Sequence, residues 1–240
     1  MNRKLAVADL HGMYDLWRRI IDSLDKTDIL YMLGDAADRG LDGWKIIKEA
    51  LTDPRVIYIR GNHDQMLLDA WKSDWCDTDL WMYNGGYKTF QDVLSDHNSE
   101  IYLSQLNRTP YYYEYFNKNN QKVLLSHAGW TLLADDEFPE RHDLLWGRAH
   151  IEDQCRWWKE AEPNVYMVHG HTPIPSSRFL KRQEMLPEDT VINETKTVCR
   201  YAQGHKICID ARCFATNKIA MLDLDTFEEI VFEPEVSVYE

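Results

Sequence analysis

Three short apolar runs, separated by two helix-length segments and each ending in a polar cluster, constrain this chain more than any other feature. Leu5 to Ala8 runs into Asp9, Ile29 to Leu33 into Gly34-Asp35, and Val56 to Ile59 into Arg60-Gly61-Asn62-His63-Asp64. Between them, residues 13–25 place Leu16, Ile20, Ile21 and Leu24 at helical spacing, and residues 42–51 do the same with Trp44, Ile47 and Leu51. Strand, helix, strand, helix, strand is the signature of a parallel sheet with right-handed crossovers. From Asp9 to Asp35 is 26 positions and from Asp35 to Asn62 is 27, one βαβ unit each. Ligands collect at the carboxyl ends of such strands, so three successive loops are expected to converge on one point.

Downstream, residues 65–107 read as mainly helical and Trp-rich, broken at Asn84-Gly85-Gly86. Tyr111 to Phe116 and Lys122 to Leu125 read as strands joined by a turn over residues 117–120, the second ending at Ser126-His127-Ala128-Gly129. Val165 to Val168 is a further strand, ending at His169-Gly170-His171-Thr172. Residues 174–205 are polar and irregular and carry no clear element. Residues 206–232 read as three short strands with turns near 215–217 and 225–226. With no repeat, linker or break in composition, the expectation is one domain over residues 1–240, with a helical insert at about 65–107.

Charge narrows the partners. The 27 Lys and Arg against 40 Asp and Glu leave a net −13, which argues against nucleic-acid binding. An acidic chain that handles phosphate must offset its own field with metal ions and a few placed arginines. Five cysteines without a CxxC pair suggest reduced thiols rather than a disulfide framework. The N-terminus reaches Asp9 too soon for a signal-peptide core and no apolar run is long enough for a membrane span, so a cytoplasmic protein without membrane partners is expected.

Carboxylate oxygens with neutral imidazoles suit borderline divalent ions such as Mn²⁺, Zn²⁺ or Fe²⁺. A carboxylate can bridge two ions and an imidazole normally binds one, so Asp35, after the middle strand, is the natural bridge. His169 lies two residues before His171 on the same side of an extended segment; it reads as structural. The aromatic residues, among them Tyr111-Tyr112-Tyr113, read first as packing of the helical insert, and Cys208 and Cys213 as plain burial.

The ordered set DxH, GDxxDRG, GNH(D/E), SHAG and GHT resembles the calcineurin-like metallophosphoesterases. Within them it is similar to the phosphoprotein-phosphatase branch, above all its short bacterial and phage-type serine/threonine phosphatases. The resemblance runs from Ala8 to about Leu224 and includes Trp81-Met82-Tyr83-Asn84-Gly85-Gly86, Leu145-Trp146-Gly147-Arg148 and Ile209-Asp210-Ala211-Arg212-Cys213. It implies an α/β fold, a β-sandwich of two mixed sheets flanked by helices, with the metal site at the strand ends. One metal would be held by Asp9, His11 and Asp35, the other by Asp35, Asn62, His127 and His171. His63 would be the general acid, oriented by Asp38, while Arg39, Arg60 and Arg148 would grip the phosphate. The cofactors implied are two divalent metal ions, manganese first with iron or zinc as alternatives.

The sequence departs from the family pattern in three places. Ala8 stands where glycine is usual, Asp64 replaces a glutamate common in the protein phosphatases, and Ala211-Arg212 replaces a Thr-Gly pair. Two ions roughly 3.5–4 Å apart can share a water and lower its pKa, and the resulting hydroxide attacks phosphorus in line. Arginine forks match phosphate oxygens, and a histidine beside a carboxylate can protonate the leaving alkoxide. The expected activity is hydrolysis of phosphomonoesters by a metal-bridging hydroxide, on phosphoserine and phosphothreonine of a phosphorylated protein or on a small phosphoester. The alternatives are a symmetrical bis(5′-nucleosyl)-tetraphosphatase, which Asp64 keeps open, and, remotely, an inactive phosphoprotein-binding module.

Overall fold

A computed structural model describes residues 2–76, 78–130, 139–148, 151, 164–174 and 189–234. The first apolar runs form β1 (Lys4–Val7), β2 (Ile29–Met32) and β3 (Val56–Tyr58), with α1 (Tyr14–Asp22) and α2 (Gly43–Thr52) between them. β1 pairs parallel with β2, and β2 with β3, as the crossover pattern requires. The 65–107 segment is four helices: α3 (Asn62–Lys72), α4 (Asp79–Tyr83), α5 (Tyr87–Ser95) and α6 (Ser99–Leu106). β4 (Tyr112–Phe116) and β5 (Lys122–Ser126) are the expected hairpin. After them come α7 (Arg141–Trp146), which the sequence did not announce, and β6 (Val165–His169). Within 174–205, residues 175–188 lie outside the described residues, and the rest contributes β7 (Val191–Ile192) and β8 (Cys199–Tyr201). The tail holds the three expected strands, β9 (Lys206–Cys208), β10 (Ile219–Asp223) and β11 (Glu229–Phe232), with one extra turn of helix, α8 (Cys213–Thr216).

The strands build two mixed sheets, ordered β11-β10-β1-β2-β3 and β4-β5-β6-β9-β8-β7. Side chains alternate across a strand, and the core follows that period. Leu5 and Val7 of β1 pack outward with Leu16, Trp17 and Ile20 of α1 and with Ile46 and Ile47 of α2. Their neighbours Ala6 and Ala8 face inward, joining Tyr31 and Leu33 against Val123, Leu125, Val168 and Ile207 of the second sheet. The outer face of that sheet buries Met167, Tyr201 and Cys208 with Trp130 and Leu144. At about 25 cal/mol per Å² of apolar surface buried, this layer between the sheets fixes their alignment, and with it the alignment of their strand ends.

Both sheets bring their parallel strands to one edge. β1, β2 and β3 end at Asp9, at Asp35 and at the Asn62-His63 start of α3; β5 and β6 end at His127 and His171. Backbone bonds stitch these loops together. Asp9 N–H donates to the Gly34 carbonyl at 3.2 Å, His11 N–H to the Asp35 carbonyl at 2.9 Å, and Gly170 N–H to the His127 carbonyl at 2.8 Å.

Candidate metal centre

The loop conformations are unusual before any side chain is considered. Asp9 (φ 53°), His11 (φ 42°), Asp35 (φ 55°) and His171 (φ 64°) all occupy the left-handed region. Such a backbone costs on the order of 1–3 kcal/mol at a non-glycine residue and persists where surrounding bonds over-determine it. Here it turns each side chain off its strand end and back toward the common edge. The flanking glycines make room for that. A Cβ on Gly61 would stand 2.1 Å from Asp35 Oδ1, and one on Gly170 would stand 2.0 Å from Asp9 Oδ2.

Asp35 is the hub. Its Oδ2 lies 3.3 Å from His127 Nε2 and 3.9 Å from the Nε2 atoms of both His11 and His63. Its Oδ1 accepts the His63 backbone N–H at 2.9 Å. Two groups of possible metal ligands have their donor atoms within 4.8 Å of one another: His11, Asp35 and His63, and Asp9, Asp35 and His127. Asp35 belongs to both, as a bridging carboxylate must. Asn62 gathers the remaining histidines, its Oδ1 accepting from His127 Nε2 at 2.7 Å and from His171 Nδ1 at 2.9 Å.

Second partners orient the rings. His11 Nδ1–H donates to the Ala37 carbonyl at 2.9 Å and His127 Nδ1–H to the Leu33 carbonyl at 2.7 Å, so each turns Nε2 toward Asp35. His171 Nε2 is buried and has no hydrogen-bond partner among the described residues. His169 faces elsewhere: its Nδ1–H donates to the Gly170 carbonyl and its Nε2 accepts from Tyr201 Oη at 2.7 Å. Of the two neighbours, His171 is the one turned to the cluster.

The electrostatics are those of carboxylates short of positive charge. Burial alone would raise Asp35, but His127 and His63 override it and hold the carboxyl well below its usual range. Burial likewise opposes charge on His127, and the adjacent Asp35 carboxylate prevails, raising the imidazole to about 10. Asp9 is pushed well above the carboxylate range by burial and by Asp210, which burial itself raises to about 6. An imidazolium therefore stands where Asp35 calls for a cation. With carboxylate, amide and imidazole donors, a shared carboxylate and the unpartnered nitrogen of His171, these residues fit a pair of borderline divalent ions.

His63 and Asp38 form a dyad, Nδ1 lying 2.6 Å from Oδ2. Sequence reasoning missed what holds Asp38. Trp81 Nε1–H donates to its Oδ2 at 2.9 Å, and the Thr89 hydroxyl to its Oδ1 at 2.7 Å. The helical insert thus orients the dyad, and the Trp81-to-Gly86 motif was the sequence signal for it.

The arginines separate. Arg39 Nη2 lies 2.9 Å from His63 Nε2, and Nη1 sits against His11 Nε2. Arg148 follows α7, and its charge is among those that lower His171, after burial and His127. Arg60 is buried and faces protein. It donates to Gln65 Oε1, Tyr111 Oη, the Leu106 and Thr109 carbonyls and Thr109 Oγ1, which engages both its Nη atoms and its Nε. Asp64, a substrate clue in the sequence, also faces inward. Its Oδ2 accepts the N–H groups of Gly61 (2.9 Å) and Asp35 (3.2 Å), and its Oδ1 accepts the Tyr58 hydroxyl at 2.9 Å.

Comparison with known proteins places this arrangement. A family model described as calcineurin-like phosphoesterase matches residues 3–206. Among solved structures, a candidate diadenosine tetraphosphatase matches at 17% identity and a TM-score of 0.61, covering 96% of this chain and 93% of its own. A metallophosphoesterase from Sphaerobacter thermophilus matches at 13% identity and a TM-score of 0.57, covering 98% and 89%. A protein serine/threonine phosphatase from Saccharomyces cerevisiae matches at 14% identity and a TM-score of 0.53, covering 98% and 81%. At these identities the likeness is one of fold. No curated protein matches the sequence. Among the described residues, no helix is long and apolar enough to cross a membrane.

Proposed function

The chain belongs to the calcineurin-like phosphoesterase family, metal-dependent hydrolases of phosphoric esters, and we propose that its substrates are phosphoserine and phosphothreonine side chains of proteins. The observation that carries this reading is the His63–Asp38 dyad. A serine or threonine alkoxide is a strong base and leaves only if it is protonated, whereas a nucleoside diphosphate leaves as a weakly basic phosphate. A buried histidine whose Nδ1–H is held by a carboxylate can carry a second proton on Nε2 once Arg39, which donates to that nitrogen here, turns to the phosphate, and such a proton suits the alcohol. Asp64 offers no argument for the tetraphosphate reading, since its carboxylate is engaged by Tyr58 and two backbone amides.

In this reading Asp9, His11 and Asp35 hold one divalent ion and Asp35, Asn62, His127 and His171 the other. When bound, the ions supply positive charge to the phosphate oxygens and lower the pKa of a water. Arg39, against the two histidines, and Arg148, whose charge reaches His171, bind the non-leaving phosphate oxygens and align phosphorus for in-line attack. His63 protonates the departing oxygen while Asp38, fixed by Trp81 and Thr89, keeps the ring from rotating. Arg60 supports the site from behind, by tying the end of α6 and the start of β4 to α3.

The test is a metal-reconstituted panel of serine and threonine phosphopeptides, diadenosine tetraphosphate and an aryl phosphate. Phosphopeptides turned over at least tenfold faster than the tetraphosphate support the reading. The reverse order assigns the protein to dinucleotide cleavage.

A further inference from the structure

One cation at this site is unaccounted for. Arg212 lies after β9, at the edge of α8, with φ 54° and ψ 47°. A side-chain-bearing residue in the left-handed region costs about 1–2 kcal/mol, and the family resemblance expects glycine here. The backbone is pinned in that state by Asp210, whose Oδ1 accepts the Arg212 N–H at 2.8 Å. Burial of the side chain does not offset the strain. It is exposed, and its guanidinium makes no hydrogen bond or ion pair among the described residues.

What it does touch is informative. The guanidinium carbon lies 5.5 Å from the centre of the Phe214 ring, and the guanidinium carbon of Arg39 lies 5.0 Å from the same centre. Phe214 also meets His11 edge-on, with ring centres 5.6 Å apart. One aromatic ring therefore carries two arginines, one already against His11 and His63 and the other facing solvent. The two guanidinium carbons are separated by at most the sum of their distances to the ring, which an extended peptide covers in about three residues at ~3.3–3.6 Å each.

We propose that Arg212 is a specificity residue that recognises a second anionic group of the substrate, next to the phosphoryl group bound by Arg39. The proposal rests on the phosphoesterase reading of the site. The second anion can come from an acidic side chain close to a phosphoserine or from a further phosphate of a polyphosphate ester. Both present oxygens that a guanidinium fork can bind.

The experiment compares kcat/KM within two pairs of substrates, on the metal-reconstituted full chain. One pair is a phosphoserine peptide flanked by glutamates and its alanine-flanked counterpart. The other is diadenosine tetraphosphate and phenyl phosphate. Arg212→Gly removes the cation and leaves a residue at ease in the left-handed region, so folding is not at risk; a melting curve verifies it. For an exposed ion pair the wild-type preference for the more anionic member is expected to fall roughly two- to fivefold in Arg212→Gly. It should return in part with Arg212→Lys and weaken with added salt. A preference unmoved by Arg212→Gly in every pair that is turned over overturns the proposal. If peptides are not turned over and the tetraphosphate preference falls, Arg212 keeps this role and the protein-phosphatase reading fails.

Discussion

Asp38 holds His63 by one nitrogen, with Oδ2 2.6 Å from Nδ1, and is itself held at both oxygens by Trp81 and Thr89. The dyad's orientation therefore comes from α4 and α5, although its members sit at the ends of β2 and β3. Replacing His63 with Asn should cost on the order of 10²–10⁴ in kcat for an alkyl phosphate. The loss should shrink for an aryl phosphate, whose leaving oxygen needs little protonation. Rates across a series of leaving groups measure this. An equal loss for every leaving group removes His63 from the acid role.

Asp64 acts through backbone. Asp64→Ala strands the buried hydroxyl of Tyr58 and the amides of Gly61 and Asp35, each worth about 1–3 kcal/mol when unsatisfied. The Asp35 loop should loosen, weakening metal binding by roughly 10–100-fold, as loss of an outer partner of a ligand does. Metal titration followed by calorimetry reads this directly. Lower thermal stability with an unchanged metal affinity would show that Asp64 supports the fold alone.

Much of this was legible because it is periodic. The strands of β1 to β3 announced themselves by length and spacing, and each ended at a polar cluster that the structure gathers at one edge. Convergence of the Asp9, Asp35 and Asn62 loops follows from that topology, whereas His127 arrives from β5 of the second sheet. The α7 turn was not legible, being six residues without a repeat of its period. Nor could spacing reveal that Trp81 and Thr89, 43 and 51 positions from Asp38, would close around its carboxylate. Arg60 shows the opposite failure. An arginine beside a ligand motif reads as a phosphate contact, but only the fold shows that the carbonyls of Leu106 and Thr109 reach it first.

Arg60→Ala separates those two roles for that residue. Removing a buried guanidinium that joins α3, the end of α6 and Tyr111 strands the Leu106 and Thr109 carbonyls at about 1–3 kcal/mol each, and should destabilise the protein by about 2–6 kcal/mol. At roughly 2–4 °C per kcal/mol for a chain of this size, the melting temperature should fall by ten degrees or so. A phosphate contact predicts a different signature, a large rise in KM or in the phosphate inhibition constant at little cost in melting temperature. Thermal melts and product-inhibition assays on one preparation separate the two.

The Asp96 carboxyl supplies a pH prediction away from the metal centre. The Lys48 ammonium, 2.6 Å away, holds it down to about 2 against the opposing effect of burial, helped by the N–H groups of Asn98 and Trp44. Its folded value lies below the ordinary 3.8, so the fold favours the charged form. The resulting stability is complete above the ordinary value and disappears as pH falls toward 2. Asp96→Asn should therefore be less stable than wild type at pH 6, and the gap should close on acidification. Urea melts across that range measure it; a gap constant with pH would mean that the ion pair contributes nothing.

Gly170 tests whether the loop backbone, and not only its side chains, sets the metal geometry. A methyl group there would lie 2.0 Å from Asp9 Oδ2 and 2.7 Å from the Ala8 Cβ. Ala8 already fills the space that glycine would leave, so the Asp9 carboxylate is the group that must move. That same oxygen accepts the His171 N–H at 2.9 Å, so Asp9 and His171 would shift together. Gly170→Ala should therefore lose bound metal at both positions, read as metal content per chain after reconstitution. Gly204 is the control. Its φ of +79° is left-handed, unlike that of Gly170, and nothing lies within 4 Å of where its Cβ would sit. Gly204→Ala carries only the backbone cost, about 1–2 kcal/mol, and should melt a few degrees earlier with its metal content intact. If both substitutions leave metal content untouched, close backbone approach is not what holds Asp9 in place.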